Sequence, residues 1–296
     1  MGSPRGWAHP DQPKLYPTPN KFHLFRIPIH TARPPMKWLK NTFLALFILY
    51  CLACMALYLA QDAIIFYPHP LPESHQFRDG KEVEIELDDG LSLNCLWVKE
   101  APSKGVILYL HGNRGNNRRC LYQAENLMGN GYDIFMPDYR GYGKSDGSIE
   151  SEKQLFQDVE KVYSFLQGHY EESQIVVLGY SLGTGMASYL AAHHQPQQLI
   201  LLAPYVSLVD MKNRKFPFVP DFLLKYPLNN GQHLQTVSCP VTLFHGTADS
   251  VIPFDSSETL QGIKPEQIQL IPLDRVSHRG LIFHRKVRRE VGKLLL

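Results

Sequence analysis

An excess of charge of one sign is the first thing this sequence lacks. Thirty lysines and arginines face 28 aspartates and glutamates, a formal net charge of +2 over 296 residues. A chain so nearly balanced has no general electrostatic footprint for nucleic acid, which excludes that partner class at the level of composition. Cysteine is scarce too. Of the five, Cys51 and Cys54 sit inside an apolar run, while Cys95, Cys120 and Cys239 stand far apart. The three outside the run show no pairing at metal-ligand spacing and cannot all be joined within one chain, so neither a zinc module nor a disulfide framework is indicated. No repeat of fixed period is visible, which excludes solenoids and propellers.

What is present is unevenly spread. Residues 1–42 carry Arg5, Lys14, Lys21, Arg26, Arg33, Lys37 and Lys40 against the single acid Asp11, whereas 61–90 hold eight acids and only Arg78 and Lys81. Between them, Phe43 to Ala60 reads FLALFILYCLACMALYLA, eighteen residues without a charge. A helix needs ~20 apolar residues to cross ~30 Å of hydrocarbon, so the charge-free window 41–61 is long enough for a transmembrane anchor. Lys37, Trp38 and Lys40 are the residue types that sit at a membrane interface. A buried core helix is the competing reading, but nothing else in the chain is so uniformly apolar. A cleaved signal peptide is disfavoured, since its basic end would be about forty residues long and Tyr58 is a poor residue three places before a cut at Ala60. Basic residues crowd the N-terminal side, so residues 1–40 are expected in the cytoplasm and the C-terminal domain on the non-cytoplasmic side of the membrane. Residues 1–35 contain eight prolines and little periodicity. The segment 1–40 is therefore read as a disordered, basic, proline-rich tail.

After the anchor, 62–79 reads as an extended connector through Pro68, Pro70 and Pro72. From there the rhythm is regular. KEVEIEL alternates charged and apolar, DDG turns the chain, and LSLNCLWV alternates back, which is a β-hairpin. Six short apolar runs follow: GVILYLH, YDIFMPD, QIVVLG, QLILLA, PVTLFHG and EQIQLIPL. Runs without alternation suit strands buried on both faces of a parallel sheet. Helical stretches separate most of them; QLFQDVEKVYSFL places Leu155, Val159, Val162 and Leu166 on one face. The expected architecture is an α/β sheet covered by helices on both sides, over 80–296. Residues 204–238, rich in aromatics and proline and without a clear helical face, are expected to form a lid or binding insertion.

The chemistry concentrates in IVVLGYSLGTGMASYLAAHH, Ile175 to His194, where Gly179, Ser181, Gly183 and Gly185 lie together between an expected strand and an expected helix. A serine hydroxyl is a weak nucleophile unless a base removes its proton. On a tight strand-to-helix turn its oxygen points outward, and the crowding there calls for glycine two residues before and two after. The bare Gly-x-Ser-x-Gly spacing is weak evidence alone, since a glycine-rich turn with an idle serine would look the same. Its context is stronger. Sites in such sheets form at the C-terminal edge of the strands. Two histidines follow the last expected strand: His278 in the loop before the final helix, and His284 within that helix, so His278 is favoured as base. The acid is expected after the preceding strand, where FHGTADSVIP offers Asp249; Asp255 reads as a capping or first-turn acid. The order Ser181, Asp249, His278 is the one this architecture predicts. Two backbone donors are expected for an oxyanion hole: the N–H of Leu182, next after the serine, and that of Asn113 in LYLHGNRGNN. His111 is read as a structural residue of that turn.

With these residues in view, the chain resembles the α/β-hydrolase superfamily, and within it the membrane-anchored, single-span hydrolases grouped with serine aminopeptidase-like enzymes. The resemblance covers about residues 62–292 and rests on HGNRGN, DYRGYGKSDG, GYSLGTG, HGTAD and SHRG, with QDAIIFYP similar to that group's entry into the domain. It implies an α/β-hydrolase fold: a mostly parallel eight-stranded sheet with helices on both faces, preceded here by one transmembrane helix. It also implies hydrolysis of an ester, thioester or amide through an acyl-enzyme, with no metal or organic cofactor. DYRGYGKSDG is expected to shape the loop beside the oxyanion site. The chain departs from lipase-like members in having HGN where they carry a run of glycines. The anchor and the possible apolar pocket from Phe216, Phe218, Phe222 and Leu223 favour a lipid or acylated substrate. A serine peptidase or amidase of the same fold and a non-catalytic membrane scaffold are the alternatives.

Overall fold

The computed structural model describes residues 36–296; the expected tail over 1–35 lies outside the described residues. The chain divides into two units, Met1–Ile48 and Leu49–Leu296. Helix α1 (Met36–Ile65) begins before the charge-free window 41–61 and continues past it, taking up the first residues expected in the connector. At 30 residues it is ~45 Å long, and its most apolar stretch has a mean hydropathy of 2.5. That makes it long and apolar enough to cross a membrane. Large apolar side chains along it, Phe43, Leu46, Phe47, Leu49 and Leu52 among them, are exposed; a run of this extent has no place against water and needs a hydrophobic partner.

Among the described residues, eight strands build the main sheet: β1 (Lys81–Glu86), β2 (Ser92–Val98), β3 (Val106–Leu110), β4 (Asp133–Pro137), β5 (Ile175–Tyr180), β6 (Gln198–Leu202), β7 (Val241–Gly246) and β8 (Ile268–Leu273). They form one sheet in the order β8-β7-β6-β5-β3-β4-β2-β1. β1 and β2 make the hairpin, with Glu86 opposite Ser92, and β2 runs antiparallel to β4. The other pairings are parallel. The apolar runs have their reason here: Val106, Leu108 and Leu110 enter the core on one face of the sheet, while Ile107 and Tyr109 enter the other. A strand covered on both sides has no face left for polar residues.

Helices α3 (Glu152–Gln167) and α4 (Gly183–His193) pack into the first core. α2 (Asn117–Ala124) and α8 (Arg285–Leu294) pack into the second. The side chain of Ser151 accepts the N–H of Gln154 and so caps α3, whose Leu155, Val159, Val162 and Leu166 are all buried. Residues 204–238 show no clear helical face in the sequence, yet helices form there. The segment contains two short helices, α5 (Leu208–Lys215) and α6 (Asn230–Leu234), joined through a 3-10 turn at Asp221–Leu223. Polar residues dominate α5, which buries none of its side chains fully. It therefore leaves no apolar stripe to be read, and its start is set by Ser207, which caps it through the N–H of Asp210. The helix at the C-terminus also starts later than expected. His284 is the residue before α8 and accepts the N–H of Lys286, rather than lying inside the helix. Asp255 is in the first turn of α7 (Asp255–Gln261), where it meets Arg214 at 3.0 Å.

Candidate active site

Ser181 occupies the step between β5 and α4 with φ of +53°, a left-handed conformation that a non-glycine residue adopts at a cost. The turn is held by its own polar atoms. The Ser181 N–H donates to Leu202 O at 2.9 Å, while the Ser181 carbonyl accepts both the N–H and the hydroxyl of Thr184. The flanking glycines provide clearance. A Cβ at Gly183 would lie 2.0 Å from Leu110 O, and one at Gly179 would lie 2.7 Å from both Gly183 O and Thr184 Cα. Strand, turn and helix come together too closely for any side chain at either position.

His278, in a 3-10 turn after β8, reaches across to this serine. Its Nε2 is 3.0 Å from Ser181 Oγ, and its Nδ1 is 2.7 Å from Asp249 Oδ2. A carboxylate only accepts, so Nδ1 carries the proton and Nε2 is left to accept from the serine hydroxyl. Tyr180 holds the ring: its side chain stacks on His278 at 5.5 Å and its hydroxyl donates to the His278 carbonyl at 3.0 Å. Asp249 lies just past β7, and its Oδ1 accepts the N–H groups of Val251 and Ile252 at 2.8 and 2.9 Å. Burial would raise its pKa, but hydrogen bonds from His245 and His278 and from the backbone outweigh that effect and hold the carboxyl well below the usual carboxylate range.

His245 and Tyr180 were not singled out by sequence. His245 belongs to HGTAD and is fully buried in β7, with Nε2 3.4 Å from Asp249 Oδ2 and 3.0 Å from the Ile252 carbonyl. A carbonyl cannot donate, so Nε2 bears the proton and Nδ1 accepts from Ser257 Oγ at 2.6 Å. The available signal was a polar residue inside an otherwise apolar buried strand, which must find partners.

The loop after β3 lies against the serine, where a Cβ on Gly112 would be 3.4 Å from Ser181 Cβ. Neither the Asn113 N–H nor the Leu182 N–H donates to an acceptor among the described residues. The DYRGYGKSDG segment does shape this loop. Tyr139 and Tyr142 donate their hydroxyls to the carbonyls of His111 and Asn113 at 2.8 and 2.9 Å. Arg140 anchors the segment from behind through a two-pronged contact with Asp158 and another with Asp89.

His111 is buried under the loop, with Nδ1 2.6 Å from Gly112 O and Nε2 3.7 Å from Asp138 Oδ1. Burial lowers the pKa of His111 to about 4 and raises that of Asp138 to about 7. Desolvation therefore favours two neutral groups over an ion pair, and neither of the facing atoms has a hydrogen-bond partner. A carboxyl with a raised folded-state pKa binds more protons folded than unfolded, so the contribution of Asp138 to stability falls as pH rises from ~4 to about 7. Asp138→Asn, neutral throughout, is expected to gain roughly 2–4 kcal/mol relative to the parent over that interval. Thermal unfolding of both proteins at pH 4 to 8 checks this; a constant difference would overturn it.

A cavity of about 430 Å³ opens above Ser181, within the size range of small-molecule sites. Ser181, Leu182, Asn113 and His278 line it, with Arg114, Arg119, Lys212, Lys215 and Arg279 as its cations and no acid among the lining residues. Of the four apolar residues expected there, Phe216 and Leu223 do line it; Phe218 and Phe222 instead face outward, at 61% and 84% exposure. Among the described residues no histidine, cysteine and carboxylate cluster forms a metal site.

Comparison with known proteins agrees with this architecture. A model of the family described as serine aminopeptidase, S33, matches residues 101–229. An uncharacterized protein of Mycobacterium tuberculosis is 29% identical over 235 residues, covering 76% of this chain and 82% of that one. The lysophosphatidylserine lipase ABHD12 of Xenopus tropicalis is 30% identical over 223 residues, 64% of this chain and 56% of the relative. Among solved structures, the Pyrococcus furiosus esterase Pf2001 superposes with a TM-score of 0.62 at 21% identity, covering 77% of this chain and 98% of the esterase. Est1E of Butyrivibrio proteoclasticus, solved with ferulic acid, gives 0.61 at 18% identity, covering 72% of this chain and 97% of that one.

Proposed function

We propose that this chain, a member of the α/β-hydrolase superfamily and a serine hydrolase, cleaves an ester or thioester of a lipid or acylated substrate at the surface of a membrane. The observation that carries the reading is the continuous chain Ser181 Oγ, His278 Nε2, His278 Nδ1, Asp249 Oδ2, with spacings of 3.0 and 2.7 Å, at the floor of an open cavity. In this reading Ser181 Oγ attacks the acyl carbon while His278 takes its proton. Asp249 fixes the tautomer and stabilises the imidazolium. The N–H groups of Leu182 and Asn113 hold the oxyanion, each such donor being worth ~3 kcal/mol in the transition state. His278 then gives the proton to the departing alcohol or thiol. Water, activated by the same ring, attacks the acyl-enzyme, and the acid leaves with Ser181 restored.

Support for a lipid or acyl substrate comes from the apolar walls of the cavity, from α1, and from relatives named as a lysophosphatidylserine lipase and esterases. An aminopeptidase needs an acid to hold the free amine of its substrate, and the lining offers five cations and no carboxylate. In this proposal α1 is the anchor, with the basic N-terminal side in the cytoplasm and the catalytic domain across the membrane. The experiment is covalent capture. The full chain in detergent should react with a fluorophosphonate probe, and mass spectrometry should place the adduct on Ser181. A folded protein that stays unlabelled would leave the scaffold reading instead.

A further inference from the structure

The cavity above Ser181 is walled in part by the anchor helix. Leu57, Ile64 and Ile65 of α1 line it, opposite Phe216, Val219 and Leu223 of the 204–238 insertion. Leu57, Gln61, Ile64 and Ile65 follow the spacing i, i+4, i+7, i+8 and so share one helical face. That face is fastened to the insertion and to the oxyanion loop. Gln61 is buried, which is unusual on a helix this apolar, and both ends of its amide are used. Its Nε2 donates to Leu223 O at 3.1 Å and its Oε1 accepts the N–H of Lys225 at 2.8 Å. Lys225 Nζ also meets Asp62 at 2.8 Å, and Tyr50 donates its hydroxyl to Phe218 O at 2.9 Å. On the other side, Asn113 Nδ2 donates to Ile65 O at 2.8 Å, and the N–H of Tyr67 donates to Asn113 O at 2.9 Å.

A tether would need none of this. A transmembrane anchor alone can be joined by any extended linker, and its last turns have no reason to satisfy the main chain of a distant insertion. A buried amide with both ends paired to the main chain at Leu223 and Lys225 holds two surfaces at a set separation, and the gap so held is lined with aliphatic and aromatic carbon. We propose that the face of α1 carrying Leu57, Ile64 and Ile65 is a specificity-determining wall of the substrate pocket, gripping the fatty-acyl chain of the ester against Phe216 and Leu223, with Gln61 positioning the insertion that forms the opposite wall. The proposal rests on the serine-esterase reading above and adds to it which surface measures the chain. Burial of each further methylene in this gap should raise kcat/KM about three- to fourfold until the gap is filled.

The test is a chain-length profile of the full protein in detergent micelles, using p-nitrophenyl esters from acetate to laurate. Leu57→Trp and Ile64→Trp should fill the gap, lowering the laurate-to-acetate ratio of kcat/KM at least tenfold. Leu57→Ala should move the optimum to longer esters. Leu59→Trp, on the opposite, 68% exposed side of the same helix, should leave the profile unchanged. Gln61→Leu should raise KM for laurate by a larger factor than KM for acetate. A parental profile in all the pocket-facing variants overturns the proposal, as does an equal loss on acetate and laurate, or an effect of Leu59→Trp as large as that of Leu57→Trp. A parent that turns over no ester and takes no fluorophosphonate overturns the esterase reading itself, an outcome distinct from an active parent whose variants keep its chain-length preference.

Discussion

Ser181→Ala is expected to lower kcat on a p-nitrophenyl ester by roughly 10⁶-fold, with KM changed little, the size of loss seen when the nucleophile of a Ser-His-Asp site is removed. The reasoning is local. Only Ser181 Oγ is placed to receive the base, with His278 Nε2 at 3.0 Å, and no other hydroxyl is bonded to that ring. The N–H groups proposed as oxyanion donors and the cavity remain in the variant, so residual catalysis of ~10³–10⁴ over water should survive. A loss below about a hundredfold would mean that the chemistry lies elsewhere. The same position allows a stability control. Ser181 has φ of +53°, and alanine keeps that strain whereas glycine does not. Ser181→Gly should therefore be as inactive as Ser181→Ala yet more stable by about 1 kcal/mol, read from thermal unfolding of the two variants.

The positions of the strands, the hairpin and the buried face of α3 were legible because each follows from a run or a period. Doubly buried strands read as apolar runs such as VILYL and IVVLG, and Leu155, Val159, Val162 and Leu166 mark one helical face. Ser181, His278 and Asp249 could be nominated because each sits just past the C-terminal end of a strand, where position in the chain alone narrows the choice. What could not be read were contacts between segments far apart in the chain. Gln61 meets Leu223 and Lys225 across more than 160 residues, and no local pattern announces that a glutamine at the end of an apolar helix will be buried. The same holds for Tyr180, whose hydroxyl reaches His278 over 98 positions. The outward-facing Phe218 and Phe222 show the converse: aromatic content marked the insertion, but residue type alone does not say which side chains turn inward. Helix α5 escaped because its polar residues leave no stripe and its only start signal is Ser207.

Asp249→Asn should lower kcat by roughly 10⁴-fold while leaving KM and the fold close to the parent's, and the backbone dictates why. Oδ1 of Asp249 is claimed by two donors, the N–H groups of Val251 and Ile252. An asparagine must keep its oxygen there, which turns its NH₂ toward His278 Nδ1, where Asp249 now presents Oδ2 at 2.7 Å. A donor facing Nδ1 forces the proton onto Nε2, and a protonated Nε2 cannot accept from Ser181. His245 makes the reversal more costly, because its Nε2 proton faces the same Oδ2 at 3.4 Å and would meet a second donor. The substitution should also show in stability. The Asp249 pKa is held below the carboxylate range, so its stabilisation is complete above pH ~4 and is lost as pH falls further. The parent should thus be the more stable protein at pH 7, with the gap closing below pH ~4. Steady-state kinetics at pH 7 with unfolding curves from pH 2 to 7 test both parts. Full activity in Asp249→Asn would remove this carboxylate from the catalytic chain, and a gap that did not close in acid would mean that its charge contributes nothing to the fold.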